Sequence, residues 1–122
     1  MRPSYKSYSN RSYLAKEDFP VLEVHVVEEI KEELVKAPGK PEKPKLVVYF
    51  DGLEKGLVLN QANGAVLEAM VKAANPGIKD PDNPKHWVGL RIEIFADPNV
   101  MFGNERVGGL RLRPAAEEPI PY

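Results

Sequence analysis

Residues 45–60 read KLVVYFDGLEKGLVLN, and QANGAVLEAMVKAAN follows at once from Gln61. The first stretch has two apolar runs around a short loop bracketed by Gly52 and Gly56, the pattern of a β-hairpin. Leu46, Val48 and Phe50 fall on one face of the leading strand and Val47 and Tyr49 on the other, because successive side chains alternate across a strand. The second stretch changes period: Val66, Leu67, Met70, Val71 and Ala74 form one apolar stripe at helical spacing. Asn60 or Asn63 can cap this helix by accepting an orphan backbone N–H, and Asn75-Pro76-Gly77 stops it.

Upstream, PVLEVHVVEEIKEELV from Pro20 alternates Leu22, Val24 and Val26 with Glu23, His25 and Val27, the period of a half-buried strand. A helix is the rival, since Val26, Ile30 and Leu34 are spaced four apart. It would set Glu28 against Glu32 and Glu29 against Glu33, each a like-charge pair. Valines at 21, 24, 26 and 27 favour the strand. The alternation slips at Val27–Glu29, which predicts a bend or bulge there. KAPGKPEKP at 36–44 reads as a loop.

Downstream, NPGIKDPDNPK at 75–85 is a second proline-rich loop. HWVGLRIEIFA then sends Leu90, Ile92 and Ile94 one way and Arg91, Glu93 and Phe95 the other. After a turn at Asp97-Pro98, Val100–Phe102 and Glu105–Arg113 read as a last hairpin around Gly103-Asn104, with Leu110 and Leu112 inward and Arg111 and Arg113 outward. Gly89, Gly108 and Gly109 fall inside strand patterns, where a small barrel needs bends.

The order strand, strand, strand, helix, strand, strand predicts a mainly β chain with one helix, arranged as a five-stranded OB-like barrel (β-β-β-α-β-β). A length of 122 residues suits one domain. We divide it into a flexible arm rich in Tyr and basic residues (1–12), the barrel (13–113) and an acidic tail (114–122). With no cysteine, disulfides and thiolate metal sites are excluded and the cytoplasm is the expected compartment. No apolar run approaches the ~20 residues of a membrane span, so no membrane association is expected. MRPSYKSYSNRSY lacks the apolar centre of a signal peptide. The formal net charge is −1, but its ends differ: Arg2, Lys6, Arg11 and Lys16 are unopposed at the start, as are Glu117 and Glu118 at the end.

Catalysis finds little support. His25 and His86 are the only histidines and neither has a nucleophile near it in sequence. His25 reads as solvent-facing and His86 as a loop residue. Glu28, Glu29, Glu32 and Glu33 read as a solvated edge that blocks strand pairing rather than as metal ligands. GLEKG lacks the spacing and hydroxyl of a phosphate-binding loop. We therefore expect no enzyme and no cofactor. Single-strand binders set cations along a groove with aromatic faces for the bases. Here Tyr49, Trp87 and Phe95 are the aromatic candidates, with Lys55, Arg91, Arg106, Arg111 and Arg113 for charge. Trp87 has a core reading of equal weight, Phe50 and Phe102 read as core, and Tyr49 and Phe95 also suit cross-strand packing. Tyr5, Tyr8 and Tyr13 interleave with Arg2, Lys6 and Arg11 in the arm.

Tyr13-Leu14, Glu17-Asp18-Phe19, VVYFDGLEKGLVLNQAN, HWVGLRIEIF and VGGLRLRP together resemble a family of small phage- and prophage-borne proteins, over about residues 13–113. The shared pattern is an aromatic strand, a Glu-Lys-Gly-Leu-Val-Leu-Asn turn, a Trp-Ile-Gly segment and an Arg-rich last strand. Val88 replaces the usual Ile, and the loop before Trp87 is long. The resemblance implies an accessory of phage DNA replication or recombination, acting in the host cytoplasm. The tip Glu117-Glu118-Pro119-Ile120-Pro121-Tyr122 is similar to the acidic tail of bacterial single-stranded-DNA-binding proteins, which ends acidic-Ile-Pro-Phe and docks on partner enzymes. Tyr122 stands for that Phe, and there are fewer acids. By this resemblance Glu117, Glu118, Ile120, Pro121 and Tyr122 would bind a replication or recombination protein. The expectation is a non-enzymatic single-stranded DNA-binding protein with room for a homo-oligomer. The alternative is a phage-encoded adaptor or inhibitor that turns the same barrel on a host protein, and the near-neutral charge counts toward it.

Overall fold

A computed structural model describes residues 13–36, 39–102, 104–106 and 108–115. The arm 1–12 and the tail residues Glu117, Glu118, Ile120, Pro121 and Tyr122 lie outside them. The chain is mainly β with one helix: β1 (Glu23–Val35), β2 (Lys43–Phe50), β3 (Leu57–Val58), α1 (Gln61–Ala74), β4 (Arg91–Asp97), β5 (Met101–Phe102), β6 (Glu105–Arg106) and β7 (Gly109–Pro114). Five strands form one antiparallel sheet in the order β3-β2-β1-β4-β7, while β5 and β6 pair separately. No closed barrel is drawn by the backbone hydrogen bonds: the sheet is open, with β3 and β7 as its edges.

The long first strand forms, and its pairing with β2 shifts register between Val27 and Glu29. That bulge exchanges the faces. Before it, Glu23 and His25 sit opposite Ile94 and Ile92, so they share the inner face with two fully buried isoleucines. After it, Ile30 sits opposite Val48 on that face. The consequence reverses the sequence expectation for His25. Its ring points inward, 17% exposed, between Phe19 and Phe50 and bonded to Glu23 Oε1 at 2.8 Å. Val24 and Val26 take the outside. Burying Ile92 and Ile94 dictates this choice, because the other face of β4 carries Arg91, Glu93 and Phe95. Among the described residues β1 pairs with β4 only over Glu23–Val26 and with β2 from Val27 to Val35. Glu29, Glu32 and Glu33 therefore lie where the far side of β1 has no strand beside it, in keeping with a glutamate-lined edge.

β2 presents Val48 and Phe50 to the core as expected, against Leu57, Leu67, Ile92 and Leu112. Asn60 caps α1, accepting from the Asn63 N–H at 2.8 Å. The segment expected to run as one strand from Glu105 to Arg113 is two. It breaks at Gly108, whose φ of 76° is easily reached only without a Cβ. The part before it pairs with β5, and the part after it pairs with β4.

Two devices cover the edges. Tyr13 forms a parallel bridge with Gly56, and the Leu14 N–H donates to the Gly56 carbonyl at 2.7 Å, so the entering chain flanks β3. At the other edge, buried Asn63 meets β7: its Nδ2 donates to the Leu110 carbonyl and its Oδ1 accepts from the Leu112 N–H, both at 3.1 Å. Between β3 and β7 a cleft of about 340 Å³ remains, floored by Leu57 and Asn63 and walled by Leu14–Glu17 and Gly108–Leu110. No helix among the described residues is long and apolar enough to cross a membrane.

Candidate nucleic-acid interface

The outer face of β4 and β7 gathers half of the expected binding residues. The register sets Phe95 opposite Arg111 and Glu93 opposite Arg113, and paired residues point to the same face. Arg91 follows on that face, opposite Val26 of β1. The Arg113 guanidinium lies over the Phe95 ring, 4.9 Å from its centroid. Arg113 Nε also donates to Glu93 Oε1. Arg113 is thus held by a ring beneath and a carboxylate beside it, and remains 57% exposed, whereas the Glu93 side chain is 16% exposed. Three arginines against Glu93 and, at the end of the strand, Asp97 leave this face with an excess of one positive charge on a chain of net charge −1. Flexible cations held in place by an aromatic and a carboxylate lose less freedom on binding an anion than unrestrained ones.

Tyr49 belongs to a different surface. It is half-buried on the outer face of β2, and its hydroxyl donates to Glu33 Oε2. Tyr13 donates to the other oxygen, Glu33 Oε1, at 2.8 Å. One carboxylate therefore clips the entering chain to the sheet. Tyr49's hydrogen bond, ahead of Tyr13's and the Lys31 charge, holds Glu33 below its ordinary pKa despite some desolvation. Burial first, and then the bond to Glu33, push the Tyr49 hydroxyl up to about 12. The Lys31 Nζ lies 5.3 Å from the Tyr49 ring centroid, and Gly56 approaches the ring so closely that a Cβ there would lie 2.9 Å from it. Tyr49 is thus engaged in packing and with an acidic partner, the arrangement its cross-strand reading describes.

Three further candidates separate from the patch. Trp87 is 3% exposed, packs in the core and donates its Nε1–H to the Pro81 carbonyl at 3.1 Å. With no face open to solvent it has its structural role, and its assignment to the binding surface is corrected. Lys55 Nζ lies 3.3 Å from Asp18 Oδ1, tying the β2–β3 loop to the turn before β1. Arg106 is exposed on β6 beside a cleft of about 520 Å³ formed with Glu17, Pro20 and Asp97. The eight candidates of the sequence thus resolve into one cluster of Arg91, Phe95, Arg111 and Arg113, and four residues placed elsewhere.

Sequence reasoning missed Glu93 and Tyr13 as organisers. Glu93 carried a signal: it precedes Phe95 by two, as Arg113 follows Arg111 by two, so antiparallel pairing of those segments would set acid against base. Among the described residues, no group of three or more His, Asp or Glu could hold a metal ion. His86 bonds Asp80 Oδ1 at 3.0 Å within its loop, and with Asn83 holds that carboxyl below its ordinary range. Compared with protein families, with curated proteins and with solved structures, the chain matches none.

Proposed function

We propose that the chain is a non-enzymatic single-stranded DNA-binding protein of phage replication or recombination, and that its outer β4–β7 face is the contact surface. One observation carries the reading: Phe95, Arg91, Arg111 and Arg113 converge on that face, with Arg113 over the Phe95 ring. Planar cations and aromatics on a sheet are what splayed bases and a phosphate backbone need. The strand order β3-β2-β1-β4-β7 supports an OB-like barrel, since it is that barrel's order cut between its third and last strands. The entering chain and Asn63 would then stand where the missing ladder would run. The resemblance of 13–113 to phage-borne proteins supports the setting. The tip Glu117–Tyr122 would recruit a partner enzyme.

Titration of labelled oligo-dT at two salt concentrations tests this. Each phosphate neutralised on a single strand contributes roughly 0.7 to the slope of log K against log salt, so three arginines predict a slope of about −2. Arg111→Ala should weaken binding and flatten the slope. Absence of binding at low salt would reject the reading.

A second reading, an adaptor or inhibitor acting on a host protein, has its own observation. Val21, Leu22, Val24, Val26 and Val88 are 39–67% exposed at and beside the outer face of β1, more apolar surface than a strand needs to show water. Failure to bind oligo-dT, with the fold intact, would favour it.

A further inference from the structure

We propose that the base-stacking element of the β4–β7 face is the guanidinium plane of Arg113, with Phe95 and Glu93 as the residues that position it. The inference rests on the single-stranded DNA reading and assigns the ring a role different from the obvious one. Phe95 is half-buried, and the side above it is taken by Arg113 at 4.9 Å. A base approaching from solvent therefore meets Arg113, which is 57% exposed, before it meets the ring. Arginine suits this place: its planar, weakly hydrated guanidinium stacks on nucleobases while its terminal N–H groups reach phosphate. Glu93 engages Nε, leaving the terminal nitrogens at the other end of the group for an anion. Arg111 sits opposite Phe95, but the cation held over that ring is Arg113, and among the described residues Arg111 has no ring contact and acts as charge alone.

The distinction is read by charge-preserving substitutions in oligo-dT titrations at two salt concentrations, with urea midpoints as the folding control. Arg113→Lys keeps the charge and loses the plane. It should weaken binding about fivefold or more, the lower end of a stacking contribution, with the salt slope unchanged. Arg111→Lys should change affinity less than about twofold, because a point charge serves phosphate nearly as well. Phe95→Leu should weaken binding, and in combination with Arg113→Lys should add nothing further. Glu93→Ala should also weaken binding, although it removes a negative charge from the face, and Glu93→Gln should recover part of the loss by restoring an acceptor for Nε. If Arg113→Lys binds as wild type while Arg111→Ala and Arg113→Ala lose affinity, the face binds by charge alone; the stacking inference falls and the DNA reading stands. Additive losses for Phe95→Leu and Arg113→Lys would show the ring stacking independently, also overturning it. Tighter binding by Glu93→Ala would make Glu93 a competitor of phosphate and overturn its positioning role. Absence of wild-type binding removes the DNA reading and this inference together.

Discussion

Asn63 stands beside Leu112 as a piece of strand. Its side-chain oxygen accepts the Leu112 N–H at 3.1 Å while its Nδ2 donates to the Leu110 carbonyl at 3.1 Å, the donor-acceptor pair a neighbouring strand would offer. Asn63 is 1% exposed, so neither backbone group has water as a substitute. Asn63→Leu keeps the volume and removes both bonds, and each orphaned group costs about 1–3 kcal/mol. We expect a loss of about 2–5 kcal/mol by urea denaturation. Asn60→Ala, which removes only the helix cap, should cost about 1 kcal/mol. Equal costs for the two variants would show that Asn63 does not hold the β7 edge.

The shared carboxylate of Glu33 predicts stability limits at both ends of the pH range. Glu33 titrates below its ordinary 4.5, so its contribution is complete above that value and is lost as acid carries the pH through the lower folded value. Tyr49 titrates at about 12 instead of 10.0, so its contribution is complete below pH 10 and is lost as the pH rises toward 12. Tyr49→Phe should remove the step near pH 12 from a phenolate absorbance titration and shrink the acid-side loss. At neutral pH it should cost about 1 kcal/mol. A titration in which every described tyrosine ionises near 10 would refute the Glu33 clip.

Much of this was written in local pattern. The β2–β3 hairpin, an asparagine cap at Asn60 or Asn63, the Asn75-Pro76-Gly77 stop and the alternation of β4 each depend on neighbours in sequence, and each formed, the cap at Asn60. The bulge near Val27 was legible for the same reason. Which face of β1 it turned inward was not, because that depends on Ile92 and Ile94 across the sheet. The candidate site divided likewise. Phe95, Arg111 and Arg113 were legible as outward residues from alternation alone. Their convergence required the β4–β7 register, and the loss of Tyr49 to Glu33 required a contact 16 residues away. Asn63 offered two roles to the sequence, cap or not; its actual partners lie 47 and 49 residues on.

Gly56 lies where the hairpin returns, and the chain's entry packs on it. A Cβ there would lie 2.5 Å from Val47 Cγ1 and 2.9 Å from the Tyr49 ring. Val47 is fully buried and β-branched, and the ring is held by Glu33, so neither can yield cheaply. Gly56→Ala should therefore cost about 1–3 kcal/mol, in the range of overpacked cores. It should also loosen Tyr13, read as earlier proteolysis ahead of Glu17. Gly52→Ala, with open space around its Cβ but a φ of 85°, should show only backbone strain of about 1 kcal/mol and no change at Tyr13. Equal proteolysis of the two variants would disconnect Gly56 from the docking of the entering chain.

Trp87 gives a spectroscopic test of where the ligand does not go. It is the single tryptophan, 3% exposed, with its indole N–H on the Pro81 carbonyl at 3.1 Å. A base cannot reach either ring face without the core opening. Its emission should be that of a buried indole, resistant to iodide quenching, and should not change when oligo-dT binds the β4–β7 face. Trp87→Phe should keep most of the packing and leave the Pro81 carbonyl unpaired, lowering stability by about 1–3 kcal/mol. Its oligo-dT affinity should match the wild type within about twofold, since a stacked base would be worth far more than that. Strong quenching of Trp87 by oligo-dT, or a fivefold loss of affinity in Trp87→Phe with the fold intact, would move the binding surface from Phe95 and Arg113 to the other side of the sheet.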